Sequence, residues 1–251
     1  MLVTGSLIIG TGAVIVVDAG FTLDQGASIA GRVAATGLPL HAILITHEHP
    51  DHYLGAASVL ARWPDAPLLA APEVVAGIAT TGEAKLAQWR PNLGDRLPAS
   101  PTVPQALTTP VLDLDGESIE VLSLGQGDCA NNTAVHVPSA RTVIAGDFAY
   151  SGTHLWLVET DHESRRAWQA NLDRLSALAP TTVIAGHAFP GASTGPDVLE
   201  ATRDYLDAFD VALTASMDAD ELIARLSSQY PDLALPLILQ LSARAAFGSG
   251  H

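Results

Sequence analysis

The spacing of apolar side chains along the chain alternates between short β-branched runs and helix-length amphipathic stretches. Leu2 to Ile9 and Ala13 to Val17 are apolar runs separated by Gly10-Thr11-Gly12, which predicts an opening hairpin. Gln25 to Thr36 predicts a helix, stopped by Gly37 with Pro39 beyond it. Leu40 to Ile45 predicts a short buried strand, Tyr53 to Arg62 a helix, and Ala66 to Ala70 another strand. Pro72 then starts a helix at a favourable first-turn position. From Trp89 to Pro110 the periodicity dissolves among Pro91, Pro98, Pro101, Pro104 and Pro110, which leaves either a lid or a plain connector.

Strands return at Val111 to Leu124, turned at Asp115-Gly116, and at Thr133 to Val137 and Thr142 to Ala145, turned by Pro138 to Arg141. Glu163 to Leu178 predicts a helix. Thr160 and Glu163 stand at capping-box spacing, and Trp168, Leu172, Leu175 and Leu178 form one apolar stripe. Thr182 to Ala185 is the last strand expected. Beyond Pro196 three helices are expected, at Asp197 to Ser216, Asp218 to Ser228 and Ala234 to Phe247, with Pro231 and Pro236 as breaks. Strands alternating with helices define an α/β layered fold.

Chemistry enters directly after the buried run Ala42-Ile43-Leu44-Ile45, at Thr46-His47-Glu48-His49-Pro50-Asp51-His52. Side chains of a loop at a strand end can converge on one point. Imidazole and carboxylate are the ligands that suit zinc and related divalent metals. His47 and His49 are two residues apart, with Asp51 and His52 offset from them, so one loop can serve two adjacent metal positions. Asp147 and His187 each follow an apolar strand and a glycine, in Thr142-Val143-Ile144-Ala145-Gly146 and Thr182-Val183-Ile184-Ala185-Gly186.

The pattern His-x-His-x-Asp-His after an apolar strand resembles the signature loop of the metallo-β-lactamase fold superfamily. The resemblance implies a four-layered αβ/βα sandwich over 1–190, with 191–251 as a helical extension packed on that core. It implies metal ligation by His47, His49, Asp51, His52, Asp147 and His187, with Asp147 bridging two metals. Asp18, in Asp18-Ala19-Gly20, is implied to support the metal loop from behind rather than to ligate. One ligand of the pattern is missing: in Leu124-Gly125-Gln126-Gly127-Asp128, Gln126 stands where a His is expected. A carboxamide is a weaker ligand for zinc than imidazole. Three outcomes follow: Gln126 ligates weakly, Asp128 substitutes, or only the position of Asp51, His52, Asp147 and His187 fills.

Zinc is the expected metal, as one or two ions, with iron or manganese as alternatives. The implied activity is hydrolysis of an ester, thioester, lactone or amide of a small molecule by metal-activated water, with Asp51 orienting the water or taking its proton. The alternatives are a mononuclear iron oxygenase acting on sulfur compounds, and a non-catalytic ligand-binding member of the fold. Tyr150, His154 and Trp156 follow the bridging Asp and are the substrate-contact candidates. His41 and His136 are expected to be structural. Cys129 is read as a small half-buried thiol, with soft ligation as the other reading.

Net charge of −15 argues against nucleic acid or an anionic membrane as partner and leaves a small-molecule substrate. The absence of an arginine cluster near the ligands weighs against a phosphodiesterase. A single cysteine excludes an intrachain disulfide and fits a reducing compartment. Met1 to Gly5 carry no signal-peptide pattern, and no apolar stretch reaches the ~18 residues of a membrane span. A cytoplasmic location is the expectation. The segment beyond Pro196 is read as a cover for the pocket or as the surface of a homodimer, and Gly248 to His251 is set aside.

Overall fold

The computed structural model describes residues 2–248; of the terminal Gly248 to His251, only Gly248 lies within them. Ten strands form two five-stranded sheets. The first contains β1 (Ser6–Ile9), β2 (Val14–Val17), β3 (Leu40–Ile45), β4 (Leu68–Ala70) and β5 (Gln105–Ala106), in that order. The second contains β6 (Val111–Leu114), β7 (Glu117–Gly125), β8 (Asn132–Val137), β9 (Thr142–Ser151) and β10 (Thr182–Ala188). The helices are α1 (Leu23–Ala35), α2 (Pro50–Tyr53), α3 (Ala56–Arg62), α4 (Pro72–Leu93), α5 (His162–Ala177), α6 (Asp197–Thr214), α7 (Ala219–Gln229) and α8 (Pro236–Gly248). No helix among the described residues is long and apolar enough to cross a membrane. The chain divides into two compact units.

The first unit comprises 3–123 and 133–140. β1 and β2 pair antiparallel, and β2, β3, β4 and β5 follow in parallel. β2 and most of β3 are buried, which is why they read as unbroken apolar runs. Val14, Val16, Ile43 and Ile45 meet Ile29 and Val33 of α1, Val59 of α3 and Val74 and Ile78 of α4 in one core. The helix expected at Tyr53 to Arg62 is split into α2 and α3. The reason lies at Gly55, whose N–H donates to Gly20 O at 2.8 Å. A Cβ on Gly26 of α1 would strike the Gly55 carbonyl, so two glycines let α1 and this junction touch backbone to backbone.

The proline-rich stretch is more ordered than its sequence suggests. α4 continues through Pro91 to Leu93. The Arg90 guanidinium donates to the carbonyls of Gly94, Leu97, Pro98 and Ala99, Leu97 is buried, and β5 extends the first sheet beside β4. A cation that satisfies four carbonyls replaces the regular ladder that periodicity looks for. These contacts make the stretch a tethered connector.

The second unit comprises Leu2, 124–132 and 141–251. β9 and β10 pair in parallel and are longer than expected, because each continues past its glycine. α5 buries Trp168, Leu172 and Leu175, with the indole N–H donating to Phe148 O at 2.9 Å. Leu178, expected in that stripe, is the C-cap and is exposed. The cap at the other end is Asp161 with Ser164 rather than Thr160 with Glu163. α6 lies against β9 and α5, and α7 and α8 pack on each other.

Candidate metal centre

In the first unit the ligand-type side chains are held by a buried carboxylate behind them. Asp18 follows β2 with φ of 58°, a left-handed conformation that Asp tolerates better than most residues. Its Oδ1 accepts the Thr46 amide at 2.9 Å, and its Oδ2 accepts the Thr46 hydroxyl at 2.8 Å and His52 Nδ1–H at 2.8 Å. With its hydroxyl proton spent on Asp18, Thr46 Oγ1 accepts from His47 Nδ1 at 3.0 Å. Both imidazoles are thereby fixed with Nε2 as the lone-pair nitrogen, the tautomer a metal ligand needs. Thr133 of β8 clamps the same turn, giving its amide and hydroxyl to Thr46 O at 2.9 and 2.7 Å.

His47, His49, Asp51 and His52 are all buried. The His47 ring lies 4.9 Å from that of His49 and 4.2 Å from that of His52, centroid to centroid. Pro50 opens α2 directly after His49, so Asp51 and His52 leave the loop on a helical turn.

In the second unit Asp147 and His187 lie inside strands, not at their ends as expected. Gly146 has φ of 52°, and the β9–β10 register shifts between Ile184, Ala185 and His187. These irregularities turn Asp147 and His187 to one side while the strands run on. A Cβ on Gly186 would strike Asp147 Oδ1 and the Gly146 backbone, so glycine is required for this approach. His187 Nδ1 donates to Leu2 O at 2.7 Å, and its Nε2 is 3.2 Å from Asp147 Oδ2.

Tyr150 occupies the same place. Its hydroxyl is 2.9 Å from Asp147 Oδ2 and 3.4 Å from Asp128 Oδ2, and its ring stacks on His187 with centroids 5.2 Å apart. Asp128 is fully buried, whereas Gln126 is half-buried and its Nε2 donates to Gly127 O at 2.9 Å. Cys129 is buried, not half-buried, with its Sγ 3.2 Å from Asn132 Nδ2.

Within the first unit His47 and His49 each offer a ligand atom within 4.8 Å of the other, as do Asp51 and His52, and within the second unit Asp128 and Asp147 do the same. These residues and His187 are all buried. Buried imidazole with carboxylate is a donor set that fits a divalent cation of the zinc, iron or manganese kind.

The remaining sequence candidates lie elsewhere. His154 is buried with Nδ1 2.8 Å from the Tyr205 hydroxyl of α6, and burial pushes its imidazole down to about 4. It packs there as a neutral ring. Trp156 is half-buried. His136 Nδ1 pairs with Glu120 Oε2 at 2.9 Å, and His41 is an exposed residue of β3 rather than one preceding it. Thr133 and Asn132 were not legible as site residues: single small polar residues in a strand carry no spacing signal.

Residues 2–187 match the metallo-β-lactamase superfamily, and the chain belongs to that superfamily. Its members are mostly metal-dependent hydrolases. The fold is the mixed α/β fold of that superfamily, with two sheets and several helices. A metallo-β-lactamase from Pontibacter korlensis is 18% identical with TM-score 0.63, over 82% of this chain and 87% of that one. A double mutant of the sec-alkyl sulfatase PisA1 is 16% identical with TM-score 0.68, over 98% of this chain and 47% of that one. In sequence, a hydroxyacylglutathione hydrolase of Dechloromonas aromatica (strain RCB) is 49% identical over 45 residues, 17% of this chain and 17% of that protein. The match thus spans about a sixth of that relative's length.

Proposed function

We propose that the protein is a metal-dependent hydrolase of a small-molecule ester, thioester, lactone or amide, with a thioester as the first class to test. The observation that carries this reading is the buried imidazole and carboxylate loop of His47, His49, Asp51 and His52, with two of its rings preset by Asp18 and Thr46. The short match to a hydroxyacylglutathione hydrolase, whose name denotes a thioester-cleaving enzyme, supports the choice of thioester.

In this reading His47 and His49 serve one metal position, Asp51, His52 and His187 the other, and Asp147 serves both. Zinc is the metal proposed. Bound there, it supplies the acidity that makes water nucleophilic at neutral pH and polarises the scissile carbonyl. The protein's own contribution is preorganisation. Asp18 holds Thr46 and His52, Thr46 holds His47, and the Leu2 carbonyl holds His187, so Nε2 of all three rings is presented without rotational search. Asp51 orients the attacking water and takes its proton. The buried surroundings exclude bulk water and strengthen each of these electrostatic contacts. Tyr150, with its hydroxyl among the carboxylates, is the substrate contact that this reading keeps. The strongly acidic chain favours neutral or cationic substrates.

The test is a hydrolysis panel of an S-acyl thioester, an aryl ester, a lactone and a β-lactam, run with zinc-loaded and chelator-stripped protein. The expected result is turnover of at least one class, the thioester foremost, that is lost on stripping and restored by zinc. Absence of turnover throughout the panel, or turnover that survives stripping, contradicts the proposal.

A further inference from the structure

The geometry points to Asp128 as a metal ligand in the place of the missing imidazole, which gives the first metal position two histidines and two carboxylates. This rests on the metal-site reading above and goes beyond it in naming the fourth ligand of that position and the kind of cation it favours. Gln126, the residue at the expected place, is half-buried and tied to its own loop. Its Nε2 donates to Gly127 O, and its backbone carbonyl accepts Asn171 Nδ2 at 2.8 Å, which anchors the residue toward α5.

Two residues on, Asp128 is held for a different task. Asn132 Nδ2 donates to Asp128 Oδ1 at 3.1 Å and also to Cys129 O at 2.9 Å, which closes the loop on itself. The Tyr150 hydroxyl lies 3.4 Å from the other Asp128 oxygen while bonding Asp147 at 2.9 Å. Asn132 and Tyr150 are neutral donors that orient the carboxylate. A ligand atom of Asp128 falls within 4.8 Å of one of Asp147, the carboxylate that the proposed site already uses. Tyr150 is thereby a positioning residue that sets the spacing of the two carboxylates.

Exchanging imidazole for carboxylate changes what the position prefers. Carboxylate suits manganese and other hard cations, whereas imidazole suits zinc, copper, iron and nickel. Zinc still binds more tightly than manganese in absolute terms, as divalent metals generally do. The margin is what Asp128 narrows.

The experiment compares the parent chain with Asp128→Asn, Asp128→His and Gln126→Ala. Bound metal is measured by elemental analysis after dialysis against a weak chelator, zinc–manganese preference by competition, and folding by circular dichroism. The parent is expected to retain two equivalents, Gln126→Ala the same two, and Asp128→Asn about one, with unchanged dichroism. Asp128→His is expected to regain the second equivalent and to prefer zinc over manganese by at least ~tenfold more than the parent. Full metal retention by Asp128→Asn, or an unaltered preference in Asp128→His, overturns the assignment. Loss of metal in Gln126→Ala overturns it as well and returns the role to Gln126. Metal-free parent protein would instead sink the hydrolase reading itself, and this assignment with it.

Discussion

Asp147→Ala is expected to abolish hydrolysis and strip the protein of metal while leaving its fold intact. Asp147 is buried in β9 beside the Gly146 irregularity, 2.9 Å from the Tyr150 hydroxyl and 3.2 Å from His187 Nε2. A carboxylate in that place is the bridging ligand of the proposed site. Losing a group that merely supports a ligand costs ~10–100-fold in metal affinity or activity. Losing the bridging ligand itself is expected to exceed that range. Truncation also takes from the buried Tyr150 hydroxyl its Asp147 acceptor, at roughly 1–3 kcal/mol. The apo variant should therefore melt somewhat below the apo parent while still folding, even as its metal content falls. Elemental analysis, a thioester assay and a dichroism melt together check this. Retained metal with retained activity would remove Asp147 from the site.

Asp18→Ala is expected to act on stability as well as on metal. The carboxylate is buried and accepts three hydrogen bonds, two from Thr46 and one from His52. Truncation leaves a buried amide and an imidazole N–H without that acceptor, at roughly 1–3 kcal/mol each. Alanine also fits the φ of 58° poorly, adding about 1 kcal/mol. The expected loss is about 3–5 kcal/mol, in the range seen when one partner of a buried polar network is removed. Urea denaturation measures it. Asp18→Asn separates the two effects. Asparagine tolerates the backbone conformation and its carbonyl can accept the Thr46 amide, so stability should fall less. Its NH2 group, however, faces His52 Nδ1 and favours the tautomer with the proton on Nε2, where a metal would bind. Zinc affinity of Asp18→Asn should therefore drop by more than its stability predicts. Equal, small effects of both variants would mean that Asp18 only fills space.

These two residues also mark what sequence could and could not reveal. The run Ala42 to Ile45 followed by His47, His49, Asp51 and His52 was legible because a buried parallel strand reads as unbroken apolar residues and the ligands follow within one short loop. Asp147 and His187 were proposed from a strand followed by glycine and a ligand-type residue, but the glycines were taken as strand ends. Gly146 and Gly186 instead allow a register shift and a close backbone approach, features that depend on the neighbouring strand and leave no local periodicity. The choice between Gln126 and Asp128 could not be made from spacing. It turns on Asn132, Asn171 and Tyr150, which are distant or inconspicuous in the chain. The split at Gly55 and the Arg90 clamp were hidden for the same reason: each is decided by a partner from another element. For His154 the sequence offered only its place after Asp147; its Nδ1 partner is Tyr205, 51 residues away.

The claim beneath all of this is that chain segments from His47 to His187 share the holding of a cation. Its most direct test is anomalous scattering from crystals of zinc-loaded protein, recorded on either side of the zinc edge. The account predicts difference peaks ~2.0–2.2 Å from Nε2 of His47, His52 and His187, with Asp147 in reach of the metal. A well-ordered, zinc-loaded crystal whose anomalous peaks all lie away from these side chains would contradict it.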